Sequence, residues 1–166
     1  MSLRPEGVAL DEIESLYRTR LAVFRRVARG VVGDPDAARD AVQDAFAQVV
    51  RNRASFRGEG SLEGWVWKTV LNCARMQRRA AGTKARLVPA EPETASNGHS
   101  PDADLRVRAA IAALPERQRL IVFLRYFADL DYAGIADVLD ISPGTVAATL
   151  SNAHSAVRRL LPEVRE

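Results

Sequence analysis

A single cysteine, Cys73, stands in a chain of 166 residues, and only His99 and His154 join it as nitrogen or sulfur ligands. One thiol cannot form a disulfide within the chain, and one Cys with two His cannot make an ordinary zinc site. The sequence therefore implies a reducing, cytoplasmic setting, with no metal and no cofactor. Long apolar runs are missing too. The opening stretch "MSLRPEGVALDEIESLYRTR" has the profile of neither a signal peptide nor a membrane span, so no membrane insertion is expected. Aromatic residues are few, at 6%. Strand-type alternation is scarce, while Ala, Arg, Leu and Val dominate, which favours helices. One further absence is local. From Asp129 to Val157 there is no Lys or Arg, yet four carboxylates (Asp129, Asp131, Asp137 and Asp140).

What is present is unevenly charged. Residues 51–86 hold nine basic and two acidic residues, a net +7, within a chain whose total is only +3. Residues 87–105 carry four acidic residues and no basic one. A phosphate-bearing partner should meet residues 51–86 first. The plainer alternative is a charged helix that serves solubility.

The segment "AAGTKARLVPAEPETASNGHSPDAD" (Ala80–Asp104) is poor in large apolar residues and rich in Pro, Gly and small polar ones, so it reads as an exposed, flexible linker. The fold class is all-α: two small helical domains, residues 1–79 and 105–166, joined by linker residues 80–104. In the first domain, Ile13, Leu16, Leu21, Phe24, Val27 and Val31 recur at helical spacing, up to a stop near Gly33. Asp34 and Pro35 mark a second start, and Ser61 a third, after the glycine-rich turn "FRGEG". In the second domain "ADLRVRAAIAALP", "ERQRLIVFLRYFAD", "DYAGIADVLD" and "SPGTVAATLSNAHSAVRRLL" are four helical patterns.

On a helical wheel of Leu62–Arg79, at roughly 100° per residue, Trp65, Val66, Thr69, Val70, Cys73 and Met76 share an arc that reads as core. Trp67, Lys68, Leu71, Asn72, Arg75, Arg78 and Arg79 fall opposite. A ring, an amide and a row of cations together suit single-stranded nucleic acid: rings stack on unpaired bases while Lys and Arg hold the backbone. Taken alone, Trp67 could equally pack against a neighbouring helix. Cys73 reads as a small buried hydrophobe. The helix "ARDAVQDAFAQVV" displays Asp40, Gln43, Asp44 and Phe46. By spacing alone this is an ordinary amphipathic helix with a wet side.

The stretch "YAGIADVLDISPGTVAATLSNAHSAVRRL" has helix-turn-helix proportions. Ile135, Ala136 and Leu139 supply the inner contacts of its first helix, and Ile141 plugs the turn. Ser142 caps the second helix, whose inward stripe is Val146, Leu150, Ala153, Val157 and Leu160. Thr145, Ala148, Thr149, Asn152, Ser155, Ala156 and Arg159 face outward. Asn can bind an adenine edge, a Thr methyl can meet a thymine methyl, and free N–H groups from Gly144 onward can meet a phosphate. The usual Lys and Arg anchors are missing.

Taken in order, "LYRTRLAVFRRVARGVVGDPDAARDAVQDAF", "FRGEGSLEGWVWKTVLNCAR", "ALPERQRLIVFLRY" and "DYAGIADVLDISPGTV" resemble the extracytoplasmic-function (ECF) subfamily of bacterial RNA polymerase sigma factors. The resemblance covers roughly residues 10–80 and 105–162. It implies a non-enzymatic promoter-specificity subunit whose partners are core RNA polymerase and promoter DNA. Asp40, Gln43, Asp44 and Phe46 would match the segment that docks on the clamp helices of the polymerase, which reverses the reading by spacing. The loop Phe56–Ser61 and the helix from Trp65 to Arg79 would match the part that melts the −10 element, with Arg57, Ser61, Trp67, Lys68, Asn72, Arg75, Arg78 and Arg79 at the DNA. Ser142, Gly144, Thr145, Ala148, Thr149, Asn152 and Arg159 would lie at the −35 element, with this second domain seated on the polymerase flap. The linker would thread near the active-site and RNA-exit channels.

The chain departs from the family pattern where it matters for DNA. Ala147, Thr149, Asn152, His154, Ser155 and Ala156 stand at positions usually rich in Lys and Arg, Gly134 replaces a usual glutamate, and Leu71 stands where a basic residue is common. Reading of the −35 element should therefore be weak or partner-assisted. The rival reading is a sigma-like regulatory protein whose C-terminal domain binds protein: an activator, an anti-sigma factor or a companion subunit. An enzyme has little support, since "RGEGSLEG" lacks the lysine of a P-loop and no nucleophile–base set is evident.

Overall fold

The computed structural model describes residues 7–82 and 101–161. Among them are seven α-helices and no strand: α1 Leu10–Val32, α2 Pro35–Arg51, α3 Leu62–Ala80, α4 Pro101–Ala112, α5 Glu116–Tyr126, α6 Tyr132–Leu139 and α7 Pro143–Leu160. One 3₁₀ turn, Arg53–Ser55, follows α2. The all-α expectation holds.

Local chemistry sets most of the boundaries. α1 stops at Gly33, whose φ of 85° is the left-handed conformation that glycine adopts without cost, and its N–H returns to the Arg29 carbonyl. Asp34 caps α2 through the Ala37 N–H at 2.7 Å, with Pro35 at the first helical position. Ser61 caps α3 through Gly64, Asp131 caps α6 through Gly134, and Ser142 caps α7 through Thr145. α4 differs from the expectation. It begins at Pro101, inside the stretch assigned to the linker. A proline is well suited to a first helical position, so the start signal was there in a sequence otherwise poor in apolar residues. The rest of the expected linker, residues 83–100, lies outside the described residues.

α1, α2 and α3 form a bundle around Phe24, Val27, Val42, Val49, Val66 and Val70, all at or near zero exposure. α5, α6 and α7 close on Ile121, Leu124, Ile135, Val146 and Leu150. The two units are not separate bodies. α1 packs on α5 and α3 on α6, and one continuous apolar cluster runs through both. The close approach is made at Gly30. A Cβ placed there would lie 2.2 Å from Phe123 Cε2, so only glycine admits the ring. Beside it Arg26 stacks over the Phe127 ring at 5.0 Å. Arg20 ties three elements together: it pairs with Glu63 on α3 at 2.9 Å and donates to the Ala128 carbonyl after α5.

Candidate functional site

The basic helix α3 turns a different face outward from the one on the wheel. Trp67, assigned to the nucleic-acid face, has 0% exposure. Its ring meets Phe24 at 4.3 Å and its Nε1 donates to Glu63 Oε1 at 3.3 Å. Leu71, from the same arc, is also buried, while Met76, placed in the core, is 63% exposed. The buried arc is thus rotated by about one residue, or ~100°. The physical reason is that α3 is covered from two sides, by α1 and α2 and by α6, so its apolar arc is wider than one contact would require.

The outward strip that results is Trp65, Lys68, Thr69, Asn72, Met76 and Arg79, with Arg75 at its edge. It keeps Lys68, Asn72, Arg75 and Arg79 from the expected set and exchanges Trp67 for Trp65. Trp65 is half-buried. Its ring lies 5.2 Å from Phe56, at the start of the loop that leads into α3. Arg57 and Ser61 are exposed in that loop, and Gly58 and Gly60 take positive φ there. Lys68 and Arg78 already have partners across the chain. Lys68 Nζ lies 3.1 Å from Asp137 on α6, and Arg78 lies 2.8 Å from Glu116 on α5. Reading by spacing missed Trp65, Thr69 and Met76. The signal that could have found them is the number of apolar residues on α3, too many for a single face.

On α2, Asp40, Gln43 and Asp44 are exposed, as expected. Phe46 is not displayed. It is 7% exposed, edge-on to Tyr17 at 4.8 Å and to Phe24 at 5.4 Å. It forms the floor of a groove of about 620 Å³ between α1 and α2, whose other walls include Leu10, Ile13, Tyr17, Gln43 and Val50. Cys73 is buried, with Gln48 Nε2 at 3.3 Å from its sulfur. Burial first, and the Asp44 carboxylate second, push its thiol pKa up, against the Gln48 amide.

In the C-terminal unit, Ser142, Gly144, Ala148, Asn152 and Arg159 are exposed, and Thr145 and Thr149 half-exposed. The Thr149 hydroxyl is engaged along α7, donating to the Thr145 carbonyl at 2.7 Å. Leu160, expected on the inward stripe, is 52% exposed at the last residue of α7. His154 meets the Tyr126 hydroxyl at 2.8 Å. Among the described residues no group of His, Cys, Asp and Glu could hold a metal ion, and no helix is long and apolar enough to cross a membrane.

This geometry finds its counterpart among known proteins. A family model described as Sigma-70 region 2 matches residues 16–83, and one described as Sigma-70, region 4 matches residues 104–157. RNA polymerase sigma-H factor of Pseudomonas aeruginosa is 30% identical over 152 residues, covering 81% of this chain and 79% of its own length. ECF RNA polymerase sigma factor SigM of Mycobacterium tuberculosis is 28% identical over 150 residues, covering 89% and 76%. Among solved structures, the fold is shared with the sigma factor RpoE in complex with the anti-sigma factor NepR from Bartonella quintana: TM-score 0.74, 22% identity, 95% of this chain and 100% of that one. It is shared too with CnrH in complex with the cytosolic domain of CnrY, at TM-score 0.70 and 18% identity, over 95% and 92%. With both sigma-70 regions matched in order and a relative of this identity across most of its length, the chain belongs to the ECF subfamily of RNA polymerase sigma factors, and its function is that of a transcription initiation factor.

Proposed function

We propose that this sigma factor docks on core RNA polymerase through α2 and opens promoters with α3, in the cytoplasm and without catalytic chemistry of its own. Residues 1–79 act as the region 2 unit, 105–166 as the region 4 unit, and the stretch between them as the connection. The exposed carboxylates Asp40 and Asp44 stand on the same helix as the groove floored by Phe46, whose polar lining is Gln43, Glu14 and Arg51. That suits a basic amphipathic partner such as the clamp helices.

One observation carries the −10 reading. The outward strip of α3 places Lys68, Asn72, Arg75 and Arg79 in line with Trp65 and the exposed loop Arg57–Ser61. Cations hold the phosphates, while Trp65 and Asn72 receive bases that leave the stack, so each captured base draws the duplex open. Arg78 adds a phosphate contact once it parts from Glu116. Trp67 supports the strip from below.

At the −35 element, Ser142, Gly144, Thr145, Ala148, Thr149, Asn152 and Arg159 form the reading face of α7. They provide few phosphate anchors, so this contact is weak and leans on the polymerase flap. A second reading keeps a specific motive: α6 and α7 lack Lys and Arg up to Val157. A protein partner, an activator, an anti-sigma factor or a companion subunit, would then bind the C-terminal unit; the structural neighbour RpoE is itself seen in complex with an anti-sigma factor.

The test is run-off transcription with core polymerase and this chain. Initiation at a defined promoter is expected, and Lys68→Ala/Arg75→Ala should abolish open-complex formation. Normal permanganate reactivity of −10 thymines in that double variant would sink the assignment of α3.

A further inference from the structure

The strip of α3 does not stand free in the closed chain. Lys68 Nζ is held at 3.1 Å by Asp137 Oδ1, and Arg78 at 2.8 Å by Glu116 Oε1. The second oxygen of Asp137 lies over the first turn of α3. A Cβ placed on Gly64 would sit 3.4 Å from it, and one on Gly60 3.6 Å. The start of a helix carries free N–H groups and partial positive charge, which attract anions. One carboxylate thus takes the place, between a lysine and a helix start, where a DNA phosphate would sit. Arg75 lines a crevice with Glu116, Leu139 and Ile141, so the C-terminal unit reaches it as well.

We propose that α6 and the start of α5 are an internal counter-ligand of α3: Asp137 and Glu116 occupy Lys68 and Arg78, and nucleic acid must displace them to engage these two cations. The proposal rests on reading α3 as the nucleic-acid face. It gives the Lys- and Arg-free stretch a purpose, since a basic α6 would be repelled from α3. The pairs suit a reversible mask. Lys68 and Asp137 side chains are 42% and 53% exposed, so water and salt weaken their attraction. Phe123 seated on Gly30 and Arg26 over Phe127 hold the units near each other, which makes weak pairs effective through high local concentration.

The experiment measures fluorescence anisotropy of a labelled single-stranded oligonucleotide with full-length protein at low salt. Asp137→Asn/Glu116→Gln should bind about tenfold tighter than the parent, the gain expected if about one chain in ten is open beforehand. Gly30→Ala should show a similar gain with no change of charge, because its Cβ wedges Phe123 away. Asp129→Asn/Asp140→Asn is the charge-matched control. It removes two exposed carboxylates elsewhere and should change binding by less than about twofold. Adding Lys68→Ala to Asp137→Asn/Glu116→Gln should cancel the gain. Circular dichroism melts confirm folding, and the carboxylate pair remains decisive if Gly30→Ala is unstable. If Asp137→Asn/Glu116→Gln binds no tighter than the control while Lys68→Ala/Arg75→Ala still blocks promoter opening, the mask is refuted and the role of α3 stands. If that last variant opens promoters normally, the role of α3 falls, and the mask with it.

Discussion

Trp67 presents its ring to Phe24 and its Nε1 to Glu63, while Trp65, two positions earlier on α3, shares the loop side with Phe56. The two indoles are chemically equal, so their burial decides what each can do. Trp67→Ala should cost about 3–5 kcal/mol, the usual range for emptying a large buried site. Trp65→Ala should cost much less stability and appear instead as reduced permanganate reactivity at the −10 element. Urea unfolding beside footprinting separates the two. A destabilised but promoter-competent Trp65 variant would contradict the role given to that ring. At Cys73 the prediction concerns pH. Burial raises its pKa above the ordinary 9.0, so the folded chain holds the thiol proton more tightly than the unfolded chain. That contribution is complete below pH 9.0 and is lost as pH rises through the folded value. The stability of the parent relative to Cys73→Ala should therefore decline as pH rises above 9.0 in paired urea titrations. A gap that widens with pH would contradict the burial argument.

Helix boundaries in this chain are local events, and helix faces are not. Gly33, Asp34 with Pro35, Ser61, and Ser142 with Pro143 announce their caps in the sequence, because a cap needs only a hydroxyl or carboxylate and the next three residues. The inner stripes of α1 and of most of α7 are legible for a related reason: their apolar residues recur on one arc at helical spacing, although each helix meets more than one neighbour. α3 is different. Covered on two sides, it carries a double apolar arc, and a wheel that assumes one core face puts Trp67 and Met76 on the wrong sides. The cross-chain partners of Lys68 and Arg78 were beyond reach, since no local pattern pairs residues 69 or 38 positions apart. The same locality allows a test at α7. Ser142→Ala should cost about 1 kcal/mol by removing the bond to the Thr145 N–H. Ser142→Asp keeps a cap and favours the helix start, yet puts a negative charge where a DNA phosphate would approach. Thermal melts should therefore rank Asp near Ser and above Ala. Footprints of the holoenzyme over the −35 element should rank Asp lowest. Equal footprints for all three would remove the start of α7 from the DNA contact.

At the scale of the whole molecule, the apolar cluster is continuous from Ile13 to Ala153, and the joint between its halves is narrow. Phe123 on Gly30, Arg26 on Phe127 and Arg20 between Glu63 and Ala128 make up its centre. Each unit is small, and a small helical unit buries a modest share of its surface alone. The shared joint should make their stabilities interdependent, so the parent chain should unfold in one cooperative step, with calorimetric and van't Hoff enthalpies in agreement. Gly30→Ala is the sharpest probe of this coupling. Alanine favours α1 over glycine by about 1 kcal/mol in an ordinary helix interior. Any loss of cooperativity then comes from the joint, because α1 itself is strengthened. The expected scan for Gly30→Ala is two overlapping transitions, the earlier one from the smaller α5–α7 unit and the later one from the α1–α3 bundle. One sharp transition at a higher temperature would mean that Phe123 makes room for a methyl group and that the two units meet more loosely than the 2.2 Å approach implies.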